Sequence, residues 1–332
     1  YDLYLAGRAK VRRRGTHLRE AIEMFEAAIA RDSSWAPAWA ALAEAHELRS
    51  WYPAAWDEEP ADLRSYDETL LEHQAAAERA ARRALILDPD LASARIALGS
   101  VHRTRREWEA AEREYLRALA LDPDNAEAHQ QYSEMLSGMG RIAEAVASAE
   151  RAVRLDPAPI RHLMYGGALY ADDRPAEAFA QLREGIRLDP DADVPQMIAW
   201  FYLMALAEGR LGEAEEALEL GLPTRTFVEM TRAQHDQLMS AMTAGDPRLV
   251  PPKIVDQWPV TVMTWTAFGD RARPLGAIER SLAENPRDNP IWLWFPILDS
   301  LRDEPRFRAA LRLLNLEDPR LQRTPRSEED AP

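Results

Sequence analysis

The side chains best suited to chemistry in this sequence are its seven histidines, because imidazole ligates metals and transfers protons near neutral pH. His46 and His102 fall at equivalent places in a repeating pattern, and so do His129 and His162. Two ligands on one helical face stand four residues apart, and no two histidines here have that spacing. We therefore predict that they are packing or surface residues, and that the protein has no metal site and no cofactor.

Carboxylates and nucleophiles give no catalytic pattern either. Glu58-Glu59 and Asp172-Asp173 are adjacent acids, but each pair falls in a predicted loop or turn, and adjacency alone does not make a general acid and base. The absence of cysteine excludes disulfides, thiolate zinc sites and cysteine nucleophiles. No glycine-rich phosphate loop, Gly-x-Ser-x-Gly elbow or kinase signature occurs. We predict no enzyme and no catalytic residues, with a hydrolase or transferase site after residue 224 as the alternative.

The composition indicates a folded, helical chain. Apolar residues make up 46% and charged residues 29% of its 332 residues, with few strand-type runs of Val, Ile and Thr. The formal net charge of −15 opposes binding to a phosphate backbone, so we predict no nucleic-acid partner. The one strongly basic run, residues 8–14, is at a predicted helix end, where cations also interact favourably with the helix dipole.

The sequence predicts no membrane-spanning helix. No stretch approaches the ~18 uninterrupted apolar residues that such a helix needs. The chain starts at Tyr1 without an initiator Met, which suggests a processed chain or a fragment. A cytoplasmic location is our expectation, and periplasmic or membrane-associated locations stay open.

A repeat of about 34 residues organises the middle of the chain. Leu-Asp-Pro steps recur with their Asp at positions 88, 122, 156 and 189. In the copy from Ala92 to Asn125, Leu98-Gly99 mark the first predicted helix, and Ala111 and Tyr115 mark the second. This length and pattern resemble the tetratricopeptide repeat (TPR), a helix-turn-helix unit. The resemblance implies an all-α TPR superhelical solenoid with irregular C-terminal capping helices.

The repeat also suggests how the chain divides into domains. We expect a TPR solenoid of about six helical pairs over residues 1–223, with an aromatic insert near residues 50–71. Residues 224–316 are expected to form degenerate TPR-like pairs and a C-terminal cap. The acidic, Pro-containing residues 317–332 are expected to be a disordered tail.

The two ends of the chain carry a narrower resemblance. Tyr4-Leu5-Ala6-Gly7-Arg8 near the start, and Phe268-Gly269-Asp270 and Leu301-Arg302-Asp303-Glu304-Pro305-Arg306-Phe307 near the end, are similar to segments of certain bacterial TPR regions. Those regions follow winged-helix, nucleotide-cyclase or Ser/Thr-kinase effector domains. The resemblance implies a non-enzymatic scaffold or sensor module of a signalling protein. The alternative is an architectural subunit of a stable multi-protein assembly, including one at a membrane.

The first helices of TPR pairs line a concave groove in which peptides bind. The clamp of chaperone-binding TPR proteins needs Lys, Asn and Arg there, whereas this sequence has residues such as Ser100, Gln130 and Glu134, so we reject that role. We predict a protein or peptide partner with basic and apolar side chains, bound in the groove or on another face. The predicted groove residues are Ile96, Ser100, Arg103, Gln130, Glu134, Leu163, Tyr170, Gln196 and Leu203.

The aromatic insert is a second candidate contact. Its Trp and Tyr side chains lie at irregular spacing beside prolines, and aromatic residues of this kind often anchor interfaces. The alternative, which we favour, is that they cap the neighbouring hairpin. The residues are Trp51, Tyr52, Trp56 and Tyr66. The C-terminal tryptophans at positions 258, 265, 292 and 294 are expected in the core.

Overall fold

A computed structural model describes residues 1–13, 15–50, 63–188, 202–206, 208–221, 232–250, 258–284 and 290–316. Nearly all of these residues are helical, and no strand occurs among them, which confirms the predicted all-α class. No helix in the described ranges is long and apolar enough to cross a membrane.

The α-helices follow one another with short connections through most of the chain. In chain order the described ones are α1 Asp2–Arg13, α2 His17–Arg31, α3 Ala36–Ser50, α4 Leu63–Leu87, α5 Ala92–Thr104, α6 Trp108–Leu121, α7 Ala126–Gly138, α8 Ile142–Leu155, α9 Pro159–Ala171, α10 Pro175–Leu188, α11 Leu211–Gly221, α12 Arg232–Ala244, α13 Trp258–Ala267, α14 Ala272–Glu284 and α15 Pro305–Leu313. Residues 202–206 are also helical. Short 3₁₀ segments lie at Pro247–Leu249, Pro290–Trp294 and Pro296–Leu301.

The helices are arranged as helix-turn-helix hairpins in two compact units. The first unit contains residues 1–135 and 148–157, and the second contains residues 136–147 and the described residues from 158 onward. In the first unit α1 packs on α2, α3 on α4, and α5 on α6. In the second unit α9 packs on α10 and α13 on α14. The predicted division near residue 223 stays a prediction.

A small residue facing a bulky one sets the spacing within the hairpins. Gly99 of α5 lies so close to Tyr115 of α6 that a Cβ at residue 99 would stand 2.8 Å from the tyrosine Cε1. Gly7 meets Phe25 in the first hairpin in the same way, and a Cβ at Gly166 would lie 3.1 Å from Leu182 Cγ. The ring of Tyr115 is therefore completely buried against helix backbone. The same kind of contact therefore occurs both in hairpins that match the repeat pattern well and in the less regular first hairpin.

The turns inside the hairpins share one backbone conformation. Arg106, Gly140, Asp173, Gly209 and Gly269 all have a positive φ, between 58° and 77°. Each turn closes with the same pair of bonds: at Gly269 the amide bonds the Thr266 carbonyl, and the next amide bonds the Trp265 carbonyl. Left-handed backbone favours glycine, and Arg106 and Asp173 adopt it without that advantage. The turn between α13 and α14 has the same geometry, and the expectation of degenerate TPR-like pairs over residues 224–316 stays a prediction.

The C-terminal tryptophans that the structure describes are buried, as predicted. Trp265, Trp292 and Trp294 are at most 7% exposed. The side chain of Trp258 lies outside the described residues, as do residues 317–332. Helix α4 begins at Leu63, so the end of the predicted insert is helical.

We predict that Gly99→Ala destabilises the fold by about 1–3 kcal/mol, because the added methyl overlaps Tyr115 and the hairpin must open. Gly212→Ala in α11 is the matched control, since a Cβ there meets nothing within 4 Å. That change should be neutral or slightly stabilising. Urea unfolding followed by circular dichroism measures both. Equal midpoints for the two variants would refute the close-contact role of Gly99.

Candidate functional site

The residues predicted to line the groove converge around Arg103 in the first unit. One guanidinium nitrogen, Nη2, lies 3.7 Å from Glu47 Oε1 and 3.5 Å from Glu134 Oε2. The same nitrogen donates to Gln131 Oε1 at 3.3 Å. These side chains come from three successive first helices, α3, α5 and α7. We call Glu47, Ser100, Arg103, Gln131 and Glu134 the Arg103 cluster.

Ser100 and Tyr115 complete the polar contacts of this cluster. Ser100 Oγ lies 3.1 Å from the Tyr115 hydroxyl and donates to Gln131 Oε1 at 3.4 Å. Burial raises the pKa of Tyr115 well above its usual range, so its hydroxyl stays neutral. Burial alone would lower the pKa of Arg103, but the carboxylates of Glu134 and Glu47 outweigh it and raise that pKa. The guanidinium is therefore a fixed cation between two carboxylates.

Two further polar pairs extend the cluster along the same helix faces. Gln130 Nε2 donates to Glu134 Oε1 at 3.0 Å, one helical turn away. Gln130 is only 2% exposed, and its Oε1 accepts no hydrogen bond within the described residues. On α3, Glu44 pairs with Arg8 of α1. Side-chain exposure is 24% for Glu44 and 14% for Glu134, so these two carboxylates reach solvent.

In the second unit, the apolar part of the predicted groove around Tyr170 is covered by other residues of the same chain. Phe295 packs edge-on against Tyr170 of α9, with the ring centroids 4.8 Å apart. The indole of Trp294 donates to the Gly138 carbonyl at 3.1 Å. Tyr170 is completely buried, and its hydroxyl donates to Glu208 Oε1 at 3.0 Å. The segment Pro290–Phe295 thus occupies the face where the sequence predicts a partner.

The structure therefore separates the predicted site residues. Ser100, Arg103, Gln130 and Glu134 lie together in the first unit, where Ile96 is also buried. Leu163, Tyr170 and Leu203 are buried in the second unit. Gln196, Trp51, Tyr52 and Trp56 lie outside the described residues, and Tyr66 is near the start of α4 with its side chain outside them. Glu47 and Gln131 complete the cluster but were not predicted from the sequence. The spacing of Glu47, three residues after Glu44, was the available signal.

The histidines that repeat through the sequence make contacts with other protein groups. His162 Nδ1 lies 2.8 Å from Gln181 Oε1, and His129 Nε2 lies 3.0 Å from the Pro123 carbonyl oxygen. His46 Nδ1 on α3 lies 3.2 Å from His73 Nδ1 on α4. Burial, and then the charge of His73 and of nearby Arg49 and Arg79, lower the pKa of His46 from 6.5 to about 4. His46 is therefore neutral in the folded protein at pH 7.

Comparison with protein families identifies the repeats directly. Models of the tetratricopeptide repeat match residues 72–126, 136–193 and, in a second version, 114–147. The matches cover α4 to α10, so this part of the chain carries TPR repeats. None of the curated protein sequences matches the chain.

Solved structures with the same fold differ widely in sequence. Human IFIT1, in a dimer with PPP-AAAA, matches 91% of this chain and 69% of its own, at 13% identity and a TM-score of 0.55. PilW, a type IV pilus biogenesis factor, matches 69% of this chain and 93% of its own, at 20% identity and a TM-score of 0.44. At 13% identity the likeness to IFIT1 shows the helical fold alone. TPR-repeat proteins are generally non-enzymatic scaffolds.

We predict that Arg103→Ala destabilises the first unit by about 3–5 kcal/mol, because it removes the cation shared by the buried carboxylate of Glu47 and the partly buried carboxylate of Glu134. Arg103→Met combined with Glu47→Gln and Glu134→Gln removes all three charges and should recover much of that loss. Urea unfolding at pH 7 measures the difference. Equal stability of the single and triple variants would show that the charges of the cluster do not stabilise one another.

We also predict that the His46–His73 contact makes stability depend on pH. The unfolded chain takes up a proton at His46 near pH 6.5, whereas the folded chain resists it until about pH 4. The unfolded state thus binds more protons in this window, so the free energy of unfolding falls as pH falls. Between pH 7 and pH 5 this one group should contribute a loss of about 2 kcal/mol.

His46→Gln tests this dependence, because the amide can still hydrogen-bond to His73 but does not titrate. Urea unfolding at pH 7 and pH 5 should give a smaller loss for the variant than for the native chain. The same loss in both would exclude His46 as the source.

Proposed function

We propose that the chain is a non-catalytic scaffold or sensor module that binds a basic segment of a protein partner at the Arg103 cluster. The TPR repeats over residues 72–193 support this proposal, because such folds act as protein-interaction scaffolds. The convergence of polar side chains from α3, α5 and α7 on one face is the observation that carries it.

The charge of this face determines the chemistry of the partner. Three carboxylates, those of Glu44, Glu47 and Glu134, stand beside two cations, Arg8 and Arg103. The excess is negative, as is the formal charge of the whole chain. A Lys or Arg side chain of a partner would therefore be attracted to Glu44 and Glu134, the two acids that reach solvent.

Gln130 offers a second reason for binding here. Its buried Oε1 accepts no hydrogen bond from the described residues, and an unsatisfied buried acceptor costs free energy. A partner N–H donated to this oxygen would remove that cost. The proposed contacts thus combine the partly exposed carboxylates of Glu44 on α3 and Glu134 on α7 with the buried acceptor of Gln130 on α7.

The proposed site is smaller than the groove predicted from sequence. In the second unit the segment Pro290–Phe295 already covers Tyr170, so Leu163, Tyr170 and Leu203 support the fold in this proposal. The aromatic insert at Trp51, Tyr52, Trp56 and Tyr66, which lies between α3 and the body of α4 in the sequence, remains a second proposed contact. A signalling role next to an effector domain is a further proposal, which rests on the sequence segments at the two ends.

Charge-neutral variants test where the partner binds. The partner is first identified by crosslinking mass spectrometry on the protein purified from its native source, and its affinity is then measured by calorimetry. Glu44→Gln with Glu134→Gln should weaken binding about tenfold, since each loses a charged contact but keeps its shape. Glu109→Gln on the exposed side of α6 is the matched control and should leave affinity unchanged.

Equal affinity of the double variant and the native chain would exclude the Arg103 cluster as the docking site. If Glu109→Gln weakened partner binding equally, the partner would be attracted to the negative charge of the whole chain and not to the Arg103 cluster. An architectural subunit is distinguished by partners that co-purify in fixed stoichiometry and by crosslinks spread over several faces.

A further inference from the structure

Three side chains with metal-ligating atoms meet in the second unit. Glu215 lies on α11, and His235 and Asp236 lie near the start of α12. One ligand atom from each lies within 4.8 Å of the other two. Within this group, His235 Nε2 and Glu215 Oε2 are 2.8 Å apart. The three atoms thus come from two helices that are separate in sequence.

The histidine is held from its other nitrogen. His235 is completely buried, and its Nδ1 lies 3.2 Å from the hydroxyl of Tyr202, which is also buried. A hydrogen bond to the second ring nitrogen holds the ring orientation of metal-ligating histidines.

The Tyr202 hydroxyl can hydrogen-bond to either tautomer of His235, because it can both donate and accept. Without a metal, Nε2–H donates to Glu215 and Nδ1 accepts the Tyr202 proton. With a metal, the Nε2 lone pair faces the ion, and Nδ1–H donates to the tyrosine oxygen. Metal binding would therefore leave neither nitrogen of this buried ring without a partner.

The distances suit a small divalent ion after a modest adjustment. Bonds of about 2.0–2.2 Å place the ligand atoms of a tetrahedral site about 3.4 Å apart. His235 Nε2 and Glu215 Oε2 are 2.8 Å apart, and all three ligand atoms lie within 4.8 Å of one another. Asp236 is exposed and the Glu215 side chain is 32% exposed, so solvent reaches both carboxylates. Solvent can supply the fourth ligand on the side of Asp236.

We propose that Glu215, His235 and Asp236 bind one divalent transition-metal ion, with Zn²⁺ the best match. Two carboxylates balance the charge of such an ion, and the imidazole selects against Mg²⁺ and Ca²⁺, which prefer all-oxygen sites. The ion ties α11 to α12. This site goes beyond the proposed scaffold function and does not depend on it. It also departs from the sequence prediction of no metal site, which relied on the absence of two histidines four residues apart.

Metal titration of the full chain tests the proposal. The protein is stripped with a chelator and titrated with Co²⁺, whose visible absorption intensifies in a four-coordinate protein site. We expect one Co²⁺ per chain and its displacement by Zn²⁺. Asp236→Asn should weaken Co²⁺ binding at least tenfold, and the exposed position of Asp236 should preserve the fold. Glu219→Gln, an exposed acid one turn from Glu215 on α11, is the matched control and should bind like the native chain.

Absence of the absorption band at stoichiometric Co²⁺ would overturn the proposal. So would equal affinity of Asp236→Asn and the native chain, or equal weakening by Glu219→Gln, which would indicate diffuse attraction to an acidic helix. Because His235 is buried, replacing it can also destabilise the fold. Metal binding by His235→Gln is therefore interpreted only together with the melting temperature of that variant. None of these outcomes affects the partner affinity measured with the Glu44 and Glu134 variants. The metal-site proposal and the partner-binding proposal can therefore be refuted independently.

Discussion

Close approach of two helices, small residue against bulky residue, is the constraint on which the rest of this structure depends. Gly99 against Tyr115 and Gly7 against Phe25 place helix backbones within contact distance of an aromatic ring. A single hairpin cannot bury its remaining apolar face, so hairpins must pack on one another. Within the first unit α3 accordingly contacts α2 and α5 as well as its own partner α4. The same packing that stabilises the fold brings successive first helices side by side.

Tyr115 connects this packing to the candidate site. Its ring fills the space left by Gly99, while its hydroxyl lies 3.1 Å from Ser100 in the Arg103 cluster. The cluster is therefore positioned by the hairpin contact and not by a flexible loop. Arg103 then holds Glu47 and Glu134 from neighbouring helices near one cation. The proposed docking surface therefore takes its rigidity from the repeat, and a surface that is already ordered loses less conformational entropy when a partner binds.

Sequence alone predicted what depends on local spacing. The 34-residue period, the Gly99 and Tyr115 positions and the burial of Trp292 and Trp294 follow from periodicity and residue type. It could not predict that Phe295 covers Tyr170, because that contact joins residues far apart in the chain and has no periodic signal. The meeting of Glu215 with His235 was missed for the same reason. Glu47 and Gln131 were missed because a polar residue on a first helix reads equally well as solvated surface.

Amide hydrogen exchange of the full chain with and without its partner is the most direct measurement of the central claim, that a partner binds on the face formed by α3, α5 and α7. We expect the backbone amides of α3, α5 and α7 to exchange more slowly when the partner is bound, with the exchange of α6 unchanged. Slower exchange confined to α4 and α6, with α5 and α7 unaffected, would contradict it.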